Sequence, residues 1–327
     1  MILAASSQQA GNVAVSPAEA EVGWQPIVIG VDGSTESVQA AVLGSAIAAR
    51  AGATCRLLHV VPDYWVGLAA PETTVDPLVM AEAAERHART VVTNALQGAV
   101  SAQALASLDV RSGRASIVLD QVAGELGAGL VILGGKKRRA LTRLNGSTVT
   151  HMVRMGRFPI LATDGETSTI RRILVAVDLS YAAGPTIRTA VRWAALLGAQ
   201  LRVMHTVEAL PMVPGVRLQM ADEEVYLSCE RAVRAEVPQL LEGREADIVV
   251  RRGRPAAAIT AEARQWHADL VVVGSHGKGW VDRLLIGSTS ERLLNVLPAT
   301  VLVVPVSKPA NLASPGRVVL PWEAEAR

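Results

Sequence analysis

Two places in this chain carry residue types suited to holding a phosphorylated ligand. The first is Gly274-Ser275-His276-Gly277, followed after nine residues by Gly287-Ser288-Thr289. Glycines let backbone N–H groups approach phosphate oxygens, and a helix N-terminus adds unpaired donors and a partial positive charge. The spacing therefore predicts an anion cradle. It fits neither the phosphate loop G-x-x-x-x-G-K-[ST] nor the dinucleotide fingerprint G-x-G-x-x-G. The second place is Asp178, which closes the apolar run Ile173 to Val177. A carboxylate there can meet a ribose or adenine edge, or it can cap the turn that follows.

Both places lie inside a unit that occurs twice. IVIGVDGSTES from Ile27 recurs as ILVAVDLSYAA from Ile173, 146 residues on, which pairs Asp32 with Asp178. ARAGATCRLLHV from Ala49 recurs at the same offset from Ala195 and pairs His59 with His205. The segment from Val110 returns from Val250 at an offset of 140, so Gly113 matches Gly253 and Gly134 matches Gly274. NGSTVT from Asn145 then pairs with IGSTSE from Ile286. Insertions fall between these blocks, where surface connections tolerate them.

Within each unit short apolar β-branched runs alternate with helical stretches. Expected strands are Ile27–Val31, Cys55–Val61, Asp109–Arg111, Leu130–Leu133 and Ile160–Ala162, with counterparts at Ile173–Val177, Gln200–Val207, Ile248–Arg251, Leu270–Val273 and Val301–Val304. Helices are expected over about 77–102, 116–126, 219–242 and 256–266, besides one after each first strand. Nearly continuous apolar strands separated by helices require a parallel sheet covered on both faces. The fold class is α/β: two homologous doubly wound, Rossmann-like domains in tandem, each with its own core. Residues 1–24 read as a disordered extension, 25–163 and 172–306 as the domains, 164–171 as a polar linker, and 307–327 as a tail.

Composition narrows the function. Half the residues are apolar and 19% are charged, which argues against a disordered chain, and no apolar run approaches the ~18 residues of a membrane span. A net charge of +2 and an aromatic content of 3% argue against nucleic acid as a partner. The first residues hold neither a basic leader nor a sustained apolar block, so a cytoplasmic location is expected. Cys55 and Cys229 lack the spacing of a zinc or redox site and read as core-filling thiols.

The G-x-x-G, nine residues, G-[ST] pattern, the Asp ending the first strand and the turn Gly253-Arg254-Pro255 resemble the ATP-binding universal stress protein family. The resemblance spans about residues 25 to 306 as a tandem pair. It implies that Asp178 and Thr206 contact adenosine while Gly274, Ser275, His276, Gly277, Gly287, Ser288 and Thr289 line the triphosphate, with Mg²⁺ accompanying ATP. It also implies a stress-response regulator that acts through a protein partner, with no catalytic residue and at most slow ATP hydrolysis. Pairing of the last strands joins family members, so Ile160–Ala162 is expected to pair with Val301–Val304 within the chain, and a homodimer of chains is a further expectation.

The first unit departs from the pattern. It reads Gly134-Gly-Lys-Lys137 and reaches Gly146-Ser147 after eight residues, so Lys137 stands where the second glycine belongs. A Lys held at positive φ costs on the order of 1 kcal/mol and crowds a phosphate. Asp32, Gly134, Gly146 and Ser147 remain as a first-domain site able to hold a nucleoside without a full phosphate cradle. Plainer roles stand beside these. Ser288 with Glu291 forms a capping-box pattern, His59 and His205 suit satisfied, partly buried positions, and Lys136 to Arg143 suits a solvated face. An adaptor with a vestigial nucleotide site and a phosphotransfer enzyme are the competing functional classes.

Overall fold

The computed structural model describes residues 25–62, 77–135, 148–208, 219–276 and 286–306. The expected extension 1–24 and tail 307–327 lie outside the described residues. So do Lys136 to Arg143, Gly146, Ser147 and Gly277.

The first repeat runs β1 (Ile27–Gly30), α1 (Thr35–Ala51), β2 (Cys55–Val61), α2 (Pro77–Leu96), α3 (Ala102–Ala106), β3 (Asp109–Ser112), α4 (Ala115–Leu126), β4 (Leu130–Gly134), α5 (Thr148–Met155) and β5 (Ile160–Thr163). The second runs β6 (Arg172–Val177), α6 (Ala183–Leu197), β7 (Gln200–Val207), α7 (Gln219–Leu240), β8 (Asp247–Arg252), α8 (Pro255–Gln265), β9 (Leu270–Gly274), α9 (Ser288–Val296) and β10 (Thr300–Val304). The expected strands are all present. The long helix expected over 77–102 is instead broken: Gly98 takes φ +79°, and Ser101 starts α3 by accepting the Ala104 amide at 3.1 Å. A left-handed glycine followed by a serine cap ends one helix and begins another.

All ten strands form one sheet in the order β3-β2-β1-β4-β5-β10-β9-β6-β7-β8. Within each repeat every pairing is parallel. The repeats meet at β5 and β10, which run antiparallel with Leu161 opposite Leu302, so the expected pairing of the last strands is observed. Alternate strand residues face opposite sides, as the period of two demands. Ile27, Ile29, Leu161, Val175 and Leu302 pack in one apolar layer, while Val28, Ile160, Leu174, Val301 and Val303 pack in the other.

Each layer contains residues of both repeats, and Gly23–Val306 forms one compact unit. Separate cores for the two halves are therefore not what the chain builds. The reason is physical: β5 and β10 are buried along their whole length, and exposing either face of such a strand costs about 1.5–3 kcal/mol per large aliphatic side chain.

Candidate functional site

In a doubly wound sheet the ligand crevice opens beyond the carboxyl ends of the strands, where the chain reverses its direction across the sheet. In the second repeat β6 is that strand, flanked by β7 on one side and β9 on the other. A cleft of about 700 Å³ opens there. Asp178 leaves the end of β6, Thr206 belongs to β7, Gly274 ends β9, and Gly287 with Ser288 and Thr289 begins α9. These six, with His276, line the cleft. Seven of the nine residues expected in the second repeat thus come together, and Gly277 lies outside the described residues.

Ser275 is the exception. It is 2% exposed, and its side chain accepts the Val306 amide at 3.1 Å and pairs with His276 Nδ1 at 2.9 Å. Its amide donates to Val304 and its carbonyl accepts the Gly287 amide, both within 2.9 Å. Ser275 ties the start of α9 to the end of β10 and is not among the cleft-lining residues.

The capping-box expectation is corrected. Gly287 is the residue before the first turn of α9 and no side chain caps that turn. Ser288 is already helical, so Glu291 falls one position too late to reach back. Glu291 instead pairs with Arg154 at 3.0 Å. The cap that is present runs the other way: Ser290 Oγ donates to the Gly274 carbonyl at 2.8 Å and docks the helix on β9. The backbone N–H groups of Ser288 and Thr289 have no hydrogen-bond partner among the described residues. Unpaired donors at the positive end of a nine-residue helix face an anion favourably.

Close approach is built into the same corner. A Cβ added to Gly274 would lie 3.2 Å from both the His276 carbonyl and Thr186 Oγ1, and one on Gly287 would lie 3.3 Å from the Ser275 carbonyl. At the other end of the cleft, Asp178 Oδ1 accepts the Ser180 amide at 3.1 Å, so the carboxylate does cap its turn. Leu179 between them takes φ +56°, a conformation costly for a branched side chain, where the first repeat has Gly33 at +79°. Neighbouring Tyr181 has its phenol pushed up from the ordinary value, first by burial and then by the Asp178 charge.

His205 is 3% exposed, and its Nδ1 donates to the Val177 carbonyl at 2.8 Å; His59 does the same to Val31 at 2.7 Å. A carbonyl only accepts, so Nδ1 carries the proton in each ring. Both histidines thus brace the strand ends just ahead of Asp178 and Asp32, as the plainer reading held.

The sequence reading missed Glu208, Cys229, Pro255 and Ile259, which also line the cleft. Cys229 packs partly against the core but is half-buried rather than core-filling, and Cys55 is likewise half-buried. Pro255 was visible only as part of the Gly-Arg-Pro turn, and α7 gave no signal that one of its faces borders the cleft.

The first repeat has a cleft of about 530 Å³ in the corresponding place, lined by Asp32, Ser34, His59 and Gly134. Asp32 Oδ1 accepts from both the amide and the hydroxyl of Ser34. Among the described residues no group of three His, Cys, Asp or Glu side chains is placed to hold a metal ion, and no helix is long and apolar enough to cross a membrane.

A parallel sheet wound in both directions, with a glycine-and-hydroxyl helix start at its reversal point, defines a Rossmann-like α/β protein of two repeats. The universal stress protein family model matches this chain twice, over residues 23–163 and 169–305, and the chain belongs to that family. A universal stress protein of Mycobacterium tuberculosis is 29% identical over 295 residues, covering 85% of this chain and 96% of that protein. A shorter one from Thermus aquaticus is 36% identical over 136 residues, 41% of this chain and 98% of its own length. The crystal structure of a universal stress protein from Archaeoglobus fulgidus shares the fold at a TM-score of 0.59 and 18% identity, covering 85% of this chain and 97% of that one.

Proposed function

We propose that the second repeat binds ATP with Mg²⁺ and that the chain is a nucleotide-dependent stress-response regulator with little or no catalysis of its own. The observation that carries this reading is the arrangement of the cleft of about 700 Å³: Asp178 and Thr206 at the strand ends, and Gly274, Gly287 and the amides of Ser288 and Thr289, unpaired among the described residues, at the helix start. Its volume lies within the range of small-ligand sites. Asp178 and Thr206 hold the nucleoside in this reading, and the α9 turn holds the phosphates. Bound triphosphate supplies the oxygens for Mg²⁺. His276 has Nδ1 engaged by Ser275 Oγ, which favours a positioning role over that of a base.

Isothermal titration of the nucleotide-stripped protein with ATP·Mg²⁺ tests the reading. One site per chain is expected, lost on Gly277→Lys, which copies the residue of the first repeat. No binding would overturn it and leave an adaptor that recognises protein partners. Turnover on an acceptor above about 1 s⁻¹ would overturn the non-catalytic part, because kinases work in that range.

A further inference from the structure

A groove of about 680 Å³ opens at the amino ends of β6 and β9, at the opposite end of those strands from the second cleft. Both repeats build it. Leu43, Ala46 and Arg50 come from α1, Leu197 ends α6, and Arg171, Arg172 and Asp269 lie where β6 and β9 begin. Asp269 spends its carboxylate on main chain: Oδ2 accepts the Arg171 and Arg172 amides at 2.8 and 2.9 Å. Arg172 Nη1 donates to the Trp266 carbonyl at 3.2 Å and closes the end of α8. The other two guanidiniums are scarcely engaged. Arg171 has no side-chain partner among the described residues, and Arg50 reaches the Leu197 carbonyl only at 3.5 Å, the outer limit of a hydrogen bond.

The fold does not require these cations. It builds the same backbone twice, and at the offset of 146 the other repeat has Leu196 for Arg50, Gln25 for Arg171 and Pro26 for Arg172. At the offset of 140 it has Gly127 for His267, which also lines the groove and holds φ +52°, a conformation costly for a residue with a Cβ. A helix C-terminus favours a cation, and Arg50 suits the end of α1, yet α6 ends as well with Leu196 in that place. The charge is therefore an addition to the fold rather than a consequence of it.

A guanidinium offers a planar fork of donors that matches a carboxylate or a phosphate. Leu43, Ala46 and Leu197 set apolar surface beside the two forks, and the groove has the volume of a small-ligand site. We propose that this groove between the repeats binds an organic anion, an apolar body carrying a carboxylate or phosphate monoester, and that Arg171 and Arg50 hold its head group. The site goes beyond the ATP reading, which concerns the second cleft, and it needs both repeats, since α1 supplies Arg50 and the second repeat lies beyond Arg171.

Hexyl phosphate and octanoate are the probes, titrated separately into the full-length ¹⁵N-labelled protein. Saturable shifts of the Arg171, Arg172, Leu197 and Gly198 amides are expected with at least one of them, and the tighter probe identifies the head group. Hexanol, which lacks the charge, should leave those amides in place. Arg171→Gln should weaken binding about threefold, and adding Arg50→Gln about tenfold in all, the scale of two exposed ion pairs. Arg171→Lys, which keeps the charge, should retain most of the affinity, and 1 M salt should weaken binding of either anion. Thermal midpoints of the variants should match that of the unsubstituted protein, which separates loss of a contact from loss of the fold. Shifts confined to Ser288 and Thr289 would place the anion in the second cleft and overturn the proposal. So would equal affinity in the double variant, or hexanol binding as well as hexyl phosphate. Failure to bind ATP would defeat the reading of the second cleft and leave these shifts unchanged.

Discussion

Glu291, midway along α9 of the second repeat, forms a 3.0 Å ion pair with Arg154 on α5 of the first. The pair crosses the seam, and both side chains are about 40% exposed, so water and salt screen it. An exposed pair of this kind contributes about 0.2–1 kcal/mol. A double-mutant cycle with Arg154→Gln and Glu291→Gln, read by chemical denaturation, should return a coupling in that range that shrinks at 1 M salt. A coupling above about 2 kcal/mol would mean that the seam depends on charge rather than on its apolar strands.

Glu262 is a different case. It is 2% exposed and accepts Arg202 at 2.6 Å through one oxygen and Arg251 at 2.7 Å through the other. The Arg202 guanidinium also lies 4.5 Å from the Trp266 ring. Removing the charge leaves Arg202, 18% exposed, with Asp247 as its remaining carboxylate. Removing one partner of a buried ion pair costs about 3–5 kcal/mol, and the remaining Asp247 sets this case at the lower end. Urea unfolding of Glu262→Gln should show a loss of about 3 kcal/mol, and adding Arg202→Met should restore at least half of it. If the second substitution deepens the loss, packing of the Arg202 stem and not its charge is what Glu262 secures.

Much of this was readable because the repeat imposes the same backbone twice. Gly52 and Gly198 end α1 and α6 at φ +60° and +65°, and Gly113 and Gly253 turn at +137° and +128°. Matched glycines therefore marked matched turns. The repeat hides substitutions that the fold absorbs: His267 takes φ +52° where the first repeat has Gly127, and Leu179 replaces Gly33. Ser288 and Glu291 satisfied a capping pattern by spacing, but the helix begins one residue earlier than that pattern needs, with Gly287 in the cap position. The groove that Arg50 and Arg171 share was invisible for another reason. Its place depends on β5 and β10 pairing across 140 residues of chain, and no local periodicity encodes that.

Tyr181 carries a hydroxyl that is buried without a hydrogen-bond partner among the described residues. A buried donor left unsatisfied costs about 1–3 kcal/mol, so Tyr181→Phe should be neutral or stabilise by about 1 kcal/mol at pH 7. The raised phenol also fixes a pH dependence. Below the unfolded-state value near 10 the group is protonated in both states and contributes no slope. Above it the unfolded chain loses its proton first, so stability falls as pH rises until the folded phenol ionises too. Denaturation midpoints at pH 9 and pH 11 should therefore differ less in Tyr181→Phe than in the unsubstituted protein. An equal difference would show that other groups set the alkaline slope.

Leu161 and Leu302 face each other across the antiparallel seam, both 0% exposed, and both belong to the apolar layer that also holds Ile27 and Ile173. Unfolding either repeat alone would expose the other's last strand and part of that shared layer. The two repeats should therefore unfold together, giving calorimetric and van't Hoff enthalpies that agree. Leu161→Ala opens a cavity at the seam and should cost about 2–5 kcal/mol. Its effect should lower the whole transition without splitting it, because the damage is shared. Two resolved transitions in the unsubstituted protein would show that each repeat holds its own core. Two transitions in Leu161→Ala alone would locate the coupling between the repeats at this pair of leucines.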